Sequence, residues 1–258
     1  MNRIDSLFQH AARPLRAIYF TAGSTAADDA LPIITALARQ GADLIEVGVP
    51  FSDPVADGPV IQQASARALR HGLTLHGLMR QLRPVRRAVA HTPIVLMSYL
   101  NPIVQYGFEQ LAQDCADCGI DGLIIPDLPV EEYNRRYRAI MERHGLHLPL
   151  LITPETDEAR IRRADEAAGG FLYVVSTAAT TGAQTAFSAD TERYLARVAA
   201  MGLRHPLMVG FGISGRATRQ VAERHAAGCI IGSRFMQLLT EEQGRADRAY
   251  VRLTEQLA

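Results

Sequence analysis

The chain has 258 residues, 48% of them hydrophobic and 21% charged, and its 27 basic and 27 acidic side chains give a formal net charge of +0. That is ample apolar material for a core, and no charge excess draws the whole chain toward nucleic acid or an anionic membrane. Every basic residue is arginine and lysine is absent, which excludes Schiff-base aldol chemistry, pyridoxal phosphate linkage and the lysine of a triphosphatase phosphate loop.

Residues 1–11 read as an extra N-terminal helix, without the cationic and apolar sections of a signal peptide. A β-branched run at 17–21 predicts the first strand, and 27–40 a helix closed by Gly41. The second strand is expected at 44–49. The stretch after it is long enough for a functional loop and an additional helix. A third strand at 94–99 precedes a helical segment at 102–118 that Gly119 closes. Cys115 and Cys118 form a C-x-x-C pattern there, but at the end of an amphipathic helix, where a redox motif would open one. Further strands are expected at 123–127, 148–153, 171–176, 207–211 and 229–232, with helices at 131–142 and 157–168; Gly145 and Gly202 supply further stop signals.

Eight strands alternating with helices imply parallel pairing through crossovers. The expected fold is α/β, a single (β/α)8 TIM barrel spanning 1–258 as one domain, with the extra N-terminal helix and an extra helix after strand 2. An open doubly wound sheet is the alternative, since periodicity does not prove closure. No apolar run approaches ~20 residues. With three cysteines only, a cytoplasmic location is expected, with no membrane and no nucleic-acid partner.

In a barrel of this kind the loops after the strands build the active site. The second strand and loop read Glu46-Val47-Gly48-Val49-Pro50-Phe51-Ser52-Asp53-Pro54-Val55-Ala56-Asp57-Gly58-Pro59. Period-two alternation turns Glu46 inward with Leu44 and Gly48. Burial there raises a carboxyl pKa, which suits acid–base work; a tolerated carboxyl bonded to a hydroxyl is the bland alternative. Asp53 and Asp57 follow in a Pro- and Gly-rich loop, where turn chemistry is the bland reading. Glycines end strand seven (Gly210-Phe211-Gly212) and strand eight (Gly232-Ser233), each before a helix, and Thr181-Gly182 follows strand six. Such junctions admit an anion to backbone amides, although tight turns alone would use the same residues. The histidines form no ligand-spaced set, so no metal site is expected, and His144 and His147 read as solvated or capping groups. Arg135, Arg136 and Arg138 with Glu131 and Glu132 read as a solvated charged face. The residues alone thus describe a barrel enzyme acting on a small phosphorylated substrate by carboxylate chemistry, without metal or lysine.

The second-strand loop closely resembles the signature of the tryptophan synthase alpha subunit family. Phe20-Thr21-Ala22-Gly23, Leu96-Met97-Ser98-Tyr99-Leu100-Asn101-Pro102, Ile125-Pro126-Asp127-Leu128-Pro129, Gly170-Phe171-Leu172-Tyr173 and Gly210-Phe211-Gly212-Ile213-Ser214 extend the likeness over nearly the whole chain. The resemblance implies a lyase of tryptophan biosynthesis that cleaves indole-3-glycerol phosphate into indole and glyceraldehyde 3-phosphate by retro-aldol chemistry. It implies no resident cofactor and docking to a pyridoxal-phosphate beta subunit in an alpha2beta2 complex, with Asp53 and Pro54 at that interface. Glu46 matches the family's general acid–base residue and Asp57 its second carboxylate, expected to stay ionised in a wetter loop. Ile61, Tyr99, Tyr173 and Thr181 match substrate-binding positions, and Gly182, Gly210, Phe211, Gly212, Gly232 and Ser233 phosphate-binding ones. Two loops depart from the family pattern. Ser24-Thr25 replaces a usual Asp-Pro, and Ser176-Thr177-Ala178-Ala179-Thr180-Thr181-Gly182 lacks the arginine and first glycine of the family's mobile lid. A stand-alone indole-releasing lyase and a weakly catalytic activator of a beta subunit are the two alternatives.

Overall fold

The computed structural model describes residues 1–176 and 186–258. Among these, eight strands form one parallel sheet: β1 (Leu15–Thr21), β2 (Leu44–Gly48), β3 (Ile94–Met97), β4 (Gly122–Ile124), β5 (Leu150–Ile152), β6 (Leu172–Val175), β7 (Leu207–Gly210) and β8 (Gly228–Ile231). Helix α1 (Arg3–Gln9) precedes β1, and α2 (Ala30–Arg39) follows it. After β2 come α3 (Pro59–Arg70), α4 (Leu75–Leu82) and α5 (Val85–Ala88); after β3, α6 (Leu100–Tyr106) and α7 (Phe108–Cys118). The connection after β4 holds α8 (Val130–Glu132), a π-helical turn (Tyr133–Tyr137) and α9 (Arg138–Arg143). Then α10 (Glu158–Ala167), α11 (Ala189–Ala199) and α12 (Arg216–His225) alternate with strands, and α13 (Ser233–Glu241) and α14 (Ala246–Leu257) follow β8.

The strand order is β4-β3-β2-β1-β8-β7-β6-β5. Because β1 pairs with both β2 and β8, the sheet curls round, and its two ends meet at a parallel bridge between Gly122 and His147. His147 N donates to Asp121 O at 3.0 Å and Leu123 N to His147 O at 2.9 Å. The result is a nearly closed barrel, and the open-sheet alternative fails. Every residue of β2 is buried, as expected for parallel strands covered on one face by helices and on the other by the barrel interior.

Borrowed side chains stitch the narrow β4–β5 seam. Asn2 accepts from Ile4 N to start α1 and donates to Asp121 O (2.8 Å) and Gly145 O (2.9 Å). The buried Asp121 carboxylate takes Arg86 at 2.6 Å, Arg3 at 2.9 Å and the amide of Ile94 at 2.8 Å. A buried carboxylate persists only when paired and hydrogen-bonded, and Asp121 is both. His147 bonds Asp5 at 2.7 Å and is half-buried, correcting the expectation of a solvated or capping histidine.

Three departures from the sequence reading have local causes. The segment expected as one helix at 102–118 is two, because Gly107 at φ 94 turns the chain between α6 and α7. The additional helix after strand two is three helices, the first opened by Pro59 in its first turn. The helix expected at 131–142 contains a π turn. Cys115 and Cys118 end α7, buried and unbridged. The four predicted stop glycines, Gly41, Gly119, Gly145 and Gly202, all have positive φ. Among the described residues no helix is long and apolar enough to cross a membrane.

Candidate active site

Burial dominates the chemistry at the end of β2. Glu46 is 0% exposed, and among the described residues neither carboxyl oxygen has a hydrogen-bond partner. Burial first, and then the charge of Asp57, push its carboxyl up to about 8. A buried carboxyl without partners is tolerable when it holds a proton, so Glu46 is a neutral acid at pH 7.

Asp57 hangs from the loop after β2, folded back by its own amide bonding Pro54 O at 3.0 Å, while Gln62 Nε2 donates to its carbonyl at 2.8 Å. It is 7% exposed, not in the wet loop expected from the sequence. Burial raises its pKa to about 6, opposed by the hydrogen bond that Tyr99 Oη donates to Oδ2 at 3.1 Å. Tyr99 Oη also accepts from Ala56 N at 3.0 Å, so one phenol fixes both the loop and its carboxylate. Tyr99→Phe is expected to carry the Asp57 pKa further above 6, because the one bond that favours its ionised form is gone. Carbon-detected carboxyl titration by NMR reads this directly, and an unmoved Asp57 resonance would refute it.

A cavity opens beside these groups, walled by Asp57, Ile61, Tyr173, Phe211, Gly212, Gly232 and Ser233 among the residues anticipated from the sequence. Tyr19, Met97, Ile213, Ser214, Ile230 and Arg234 complete the wall and were not anticipated. Tyr19 shares one face of β1 with Ala17 and Thr21 and pairs in register with Glu46, but nothing in the sequence of that almost wholly buried strand marks this face as the one lining the cavity. Tyr99 stands behind Asp57, outside the wall. Gly210 is also outside it, and its role is spatial. A Cβ there would meet the Tyr173 ring at 2.3 Å, and one on Gly48 would meet Tyr19 Oη at 2.1 Å. Each glycine lets a tyrosine from the preceding strand lie across it. Thr181 and Gly182 fall outside the described residues, as does the altered lid segment beyond Ser176.

The far end of the cavity suits an anion. Helix α13 opens at Gly232 and Ser233 with no side chain capping it, so its first amides carry the positive end of the helix toward the cavity. The neighbouring helix α12 is less available, because Thr218 Oγ1 accepts from Ser214 N (3.1 Å) and Gly215 N (3.3 Å). In the turn from β7 into α12, Phe211 and Gly212 have φ 68 and 69. A bulky residue in this left-handed region is strained, and Ser176 Oγ holds it by donating to Phe211 O at 2.7 Å.

Asp53 and Pro54 lie on the outer side of the loop, with Asp53 exposed and Val55 79% exposed beside them. The departing Ser24-Thr25 turn is tied by Asp29, which accepts from Gly23 N (2.6 Å), Thr25 N (2.9 Å) and Thr25 Oγ1 (2.8 Å). Arg135 and Arg136 pair with Glu132 at the surface, as the charge pattern implied. Among the described residues no group of three or more His, Cys, Asp or Glu side chains gathers as a metal site would.

The family model described as "Tryptophan synthase alpha chain" matches residues 9–258. The tryptophan synthase alpha chain of Bacteroides thetaiotaomicron is 50% identical over 257 residues, covering 100% of both chains. That of Parabacteroides distasonis is 51% identical over 247 residues, 96% of each chain. Among solved structures, a tryptophan synthase alpha chain from Legionella pneumophila superposes with TM-score 0.88 at 32% identity, over 100% of this chain and 96% of that one. A chain of an aminoacrylate-bound tryptophan synthase from Mycobacterium tuberculosis gives TM-score 0.85 at 31% identity, over 100% and 98%.

Proposed function

Because this chain belongs to the tryptophan synthase alpha chain family, we infer that it is the lyase that cleaves indole-3-glycerol phosphate to indole and glyceraldehyde 3-phosphate. It acts as the alpha subunit beside a beta subunit in tryptophan biosynthesis, in the cytoplasm. The observation that carries the reading is a proton-holding carboxyl beside an ionisable one, next to a cavity whose other end is an uncapped helix N-terminus.

The bond to be broken joins indole C3 to the glycerol chain, and an aromatic carbon leaves poorly. Glu46, neutral at pH 7, donates its proton to C3 and so interrupts the ring's aromaticity. Asp57, ionised above about pH 6, accepts from indole N1–H and stabilises the positive charge that develops there. The carboxylate left on Glu46 then takes the proton from the hydroxyl of the carbon attached to the ring. The C–C bond breaks, its electrons restore the indole, and an aldehyde is released. The Glu46 side chain is enclosed rather than part of the cavity wall. Its oxygens are tied to nothing, so rotation about its own bonds brings the acid to a bound ring without breaking a hydrogen bond. The phosphate lies on the amides of α13 with Gly212 and Gly232 beside it, and Ile61 and Tyr173 flank the chain and ring.

Indole release by the isolated chain, with and without a cognate beta subunit, tests the reading. Slow turnover that the beta subunit accelerates is expected. Turnover equally fast alone would favour a stand-alone lyase, and none in either condition would reduce the chain to an activator. The exposed loop at Asp53, Pro54 and Val55 is the surface through which the beta subunit would act.

A further inference from the structure

Tyr19 is a polar residue of the cavity wall that the proposed chemistry leaves unused. It lies almost wholly inside, 7% exposed on the cavity wall. Its position can be read from the two glycines it covers. A Cβ on Gly232 would meet the Cδ1 end of the ring at 3.3 Å, and one on Gly48 would meet its hydroxyl at 2.1 Å. The side chain therefore runs from the α13 end of the cavity, where the phosphate is placed, to β2 beside Glu46, where the ring is placed. The glycerol chain of the substrate spans the same interval.

The hydroxyl chemistry is unbalanced in an informative way. Tyr19 Oη and Thr21 Oγ1 are 3.1 Å apart and share one hydrogen bond, with either as donor. Two hydroxyls bring two protons, and one bond between them uses one. The nearby Glu46 oxygens do not take the other, since they have no partner among the described residues. A buried donor without an acceptor is unfavourable unless a ligand supplies one.

Resting on the lyase reading above, we propose that Tyr19, oriented by Thr21, is a specificity-determining residue whose spare hydroxyl hydrogen bond recognises a hydroxyl of the substrate's glycerol chain. It distinguishes a hydroxylated three-carbon phosphate linker from a bare alkyl one. The chemistry of the cleavage does not pass through it.

The test compares two ligands in wild type and Tyr19→Phe, a change that removes one oxygen and keeps the ring. One is indole-3-glycerol phosphate; the other is 3-(indol-3-yl)propyl phosphate, the same skeleton without chain hydroxyls. Loss of one hydrogen bond formed equally in ground and transition states is expected to raise KM about tenfold with kcat little changed. The inhibition constant of the propyl phosphate should stay within about twofold, because it offers that hydroxyl nothing. Equal weakening of both ligands would make Tyr19 a packing residue, and no change for either would leave its hydroxyl to Thr21 alone; both overturn the proposal. If Tyr19→Phe does not fold, Thr21→Val breaks the hydroxyl pair from the other side and should show the same selective loss. A wild-type chain that neither binds nor cleaves indole-3-glycerol phosphate would instead sink the lyase reading itself.

Discussion

Glu46→Gln is expected to reduce cleavage of indole-3-glycerol phosphate by at least ~10²–10⁴-fold, the usual contribution of a positioned acid–base group. Substrate should still bind. Glutamine keeps the size of the side chain but has no proton to give to carbon and no base to form afterwards. Because one carboxyl serves both transfers, both are lost together. The wild-type pH profile should be a bell. Activity climbs as Asp57 ionises through about 6 and declines as Glu46 loses its proton through about 8. Residual activity in the variant should lack the upper limb. A stability measurement gives a second readout. Folded Glu46 keeps its proton up to about 8, whereas the unfolded chain releases it near 4.5. The folded state therefore binds more protons between these values, and its stability falls as pH rises across that window. In Glu46→Gln that part of the slope should vanish. Appreciable turnover by the variant would remove Glu46 from the mechanism.

Asp57→Asn is expected to lower kcat by ~10²–10³-fold, in the range seen when one electrostatic contact to a developing charge is removed. Its logic differs from that of Glu46. The carboxylate transfers no proton to carbon; it answers the charge that appears on the ring nitrogen. Asparagine can still accept a hydrogen bond, from N1–H or from Tyr99, so the loop should hold its shape and KM should change little. What is lost is the negative charge, which matters most at the transition state. A fall in kcat/KM driven by kcat is the expected signature, and near-wild-type rates would remove Asp57 from the mechanism. Asp57→Asn should also ease the ionisation of Glu46, since the charge that helps hold its proton is gone. The upper limb of any residual pH profile therefore shifts to lower pH.

The alternation of strands and helices was legible because β-branched runs and stop glycines each have a local cause. Closure was not, since it depends on β1 reaching β8 and on a bridge at His147 that no local pattern encodes. The inward direction of Glu46 was read from period two alone, since burial marks every residue of β2 alike. Asp57 misled because a Pro- and Gly-rich loop reads as solvated, whereas Tyr99, more than forty positions away, folds it inward. Tyr19 escaped notice because all but one residue of β1 are buried, so no polar alternation marks which face lines the cavity. Gly210 looked like part of an anion loop, and only the Tyr173 ring lying across it reveals a steric role.

The uneven closure of the barrel has a bearing on how its labour is arranged. One junction, β1 with β8, is a continuous ladder; the opposite one, β4 with β5, is a single bridge reinforced by α1. The molecule is thus two half-barrels, welded along one side and fastened along the other. The amino-terminal half, β1 to β4, owns Glu46, Asp57 and Tyr99, the groups that would hold or steer protons. The carboxy-terminal half, β5 to β8, owns Tyr173, the Phe211-Gly212 turn and the head of α13, where the phosphate would be anchored. Proton handling and anchorage were placed on different halves, and substrate would be the third fastening between them.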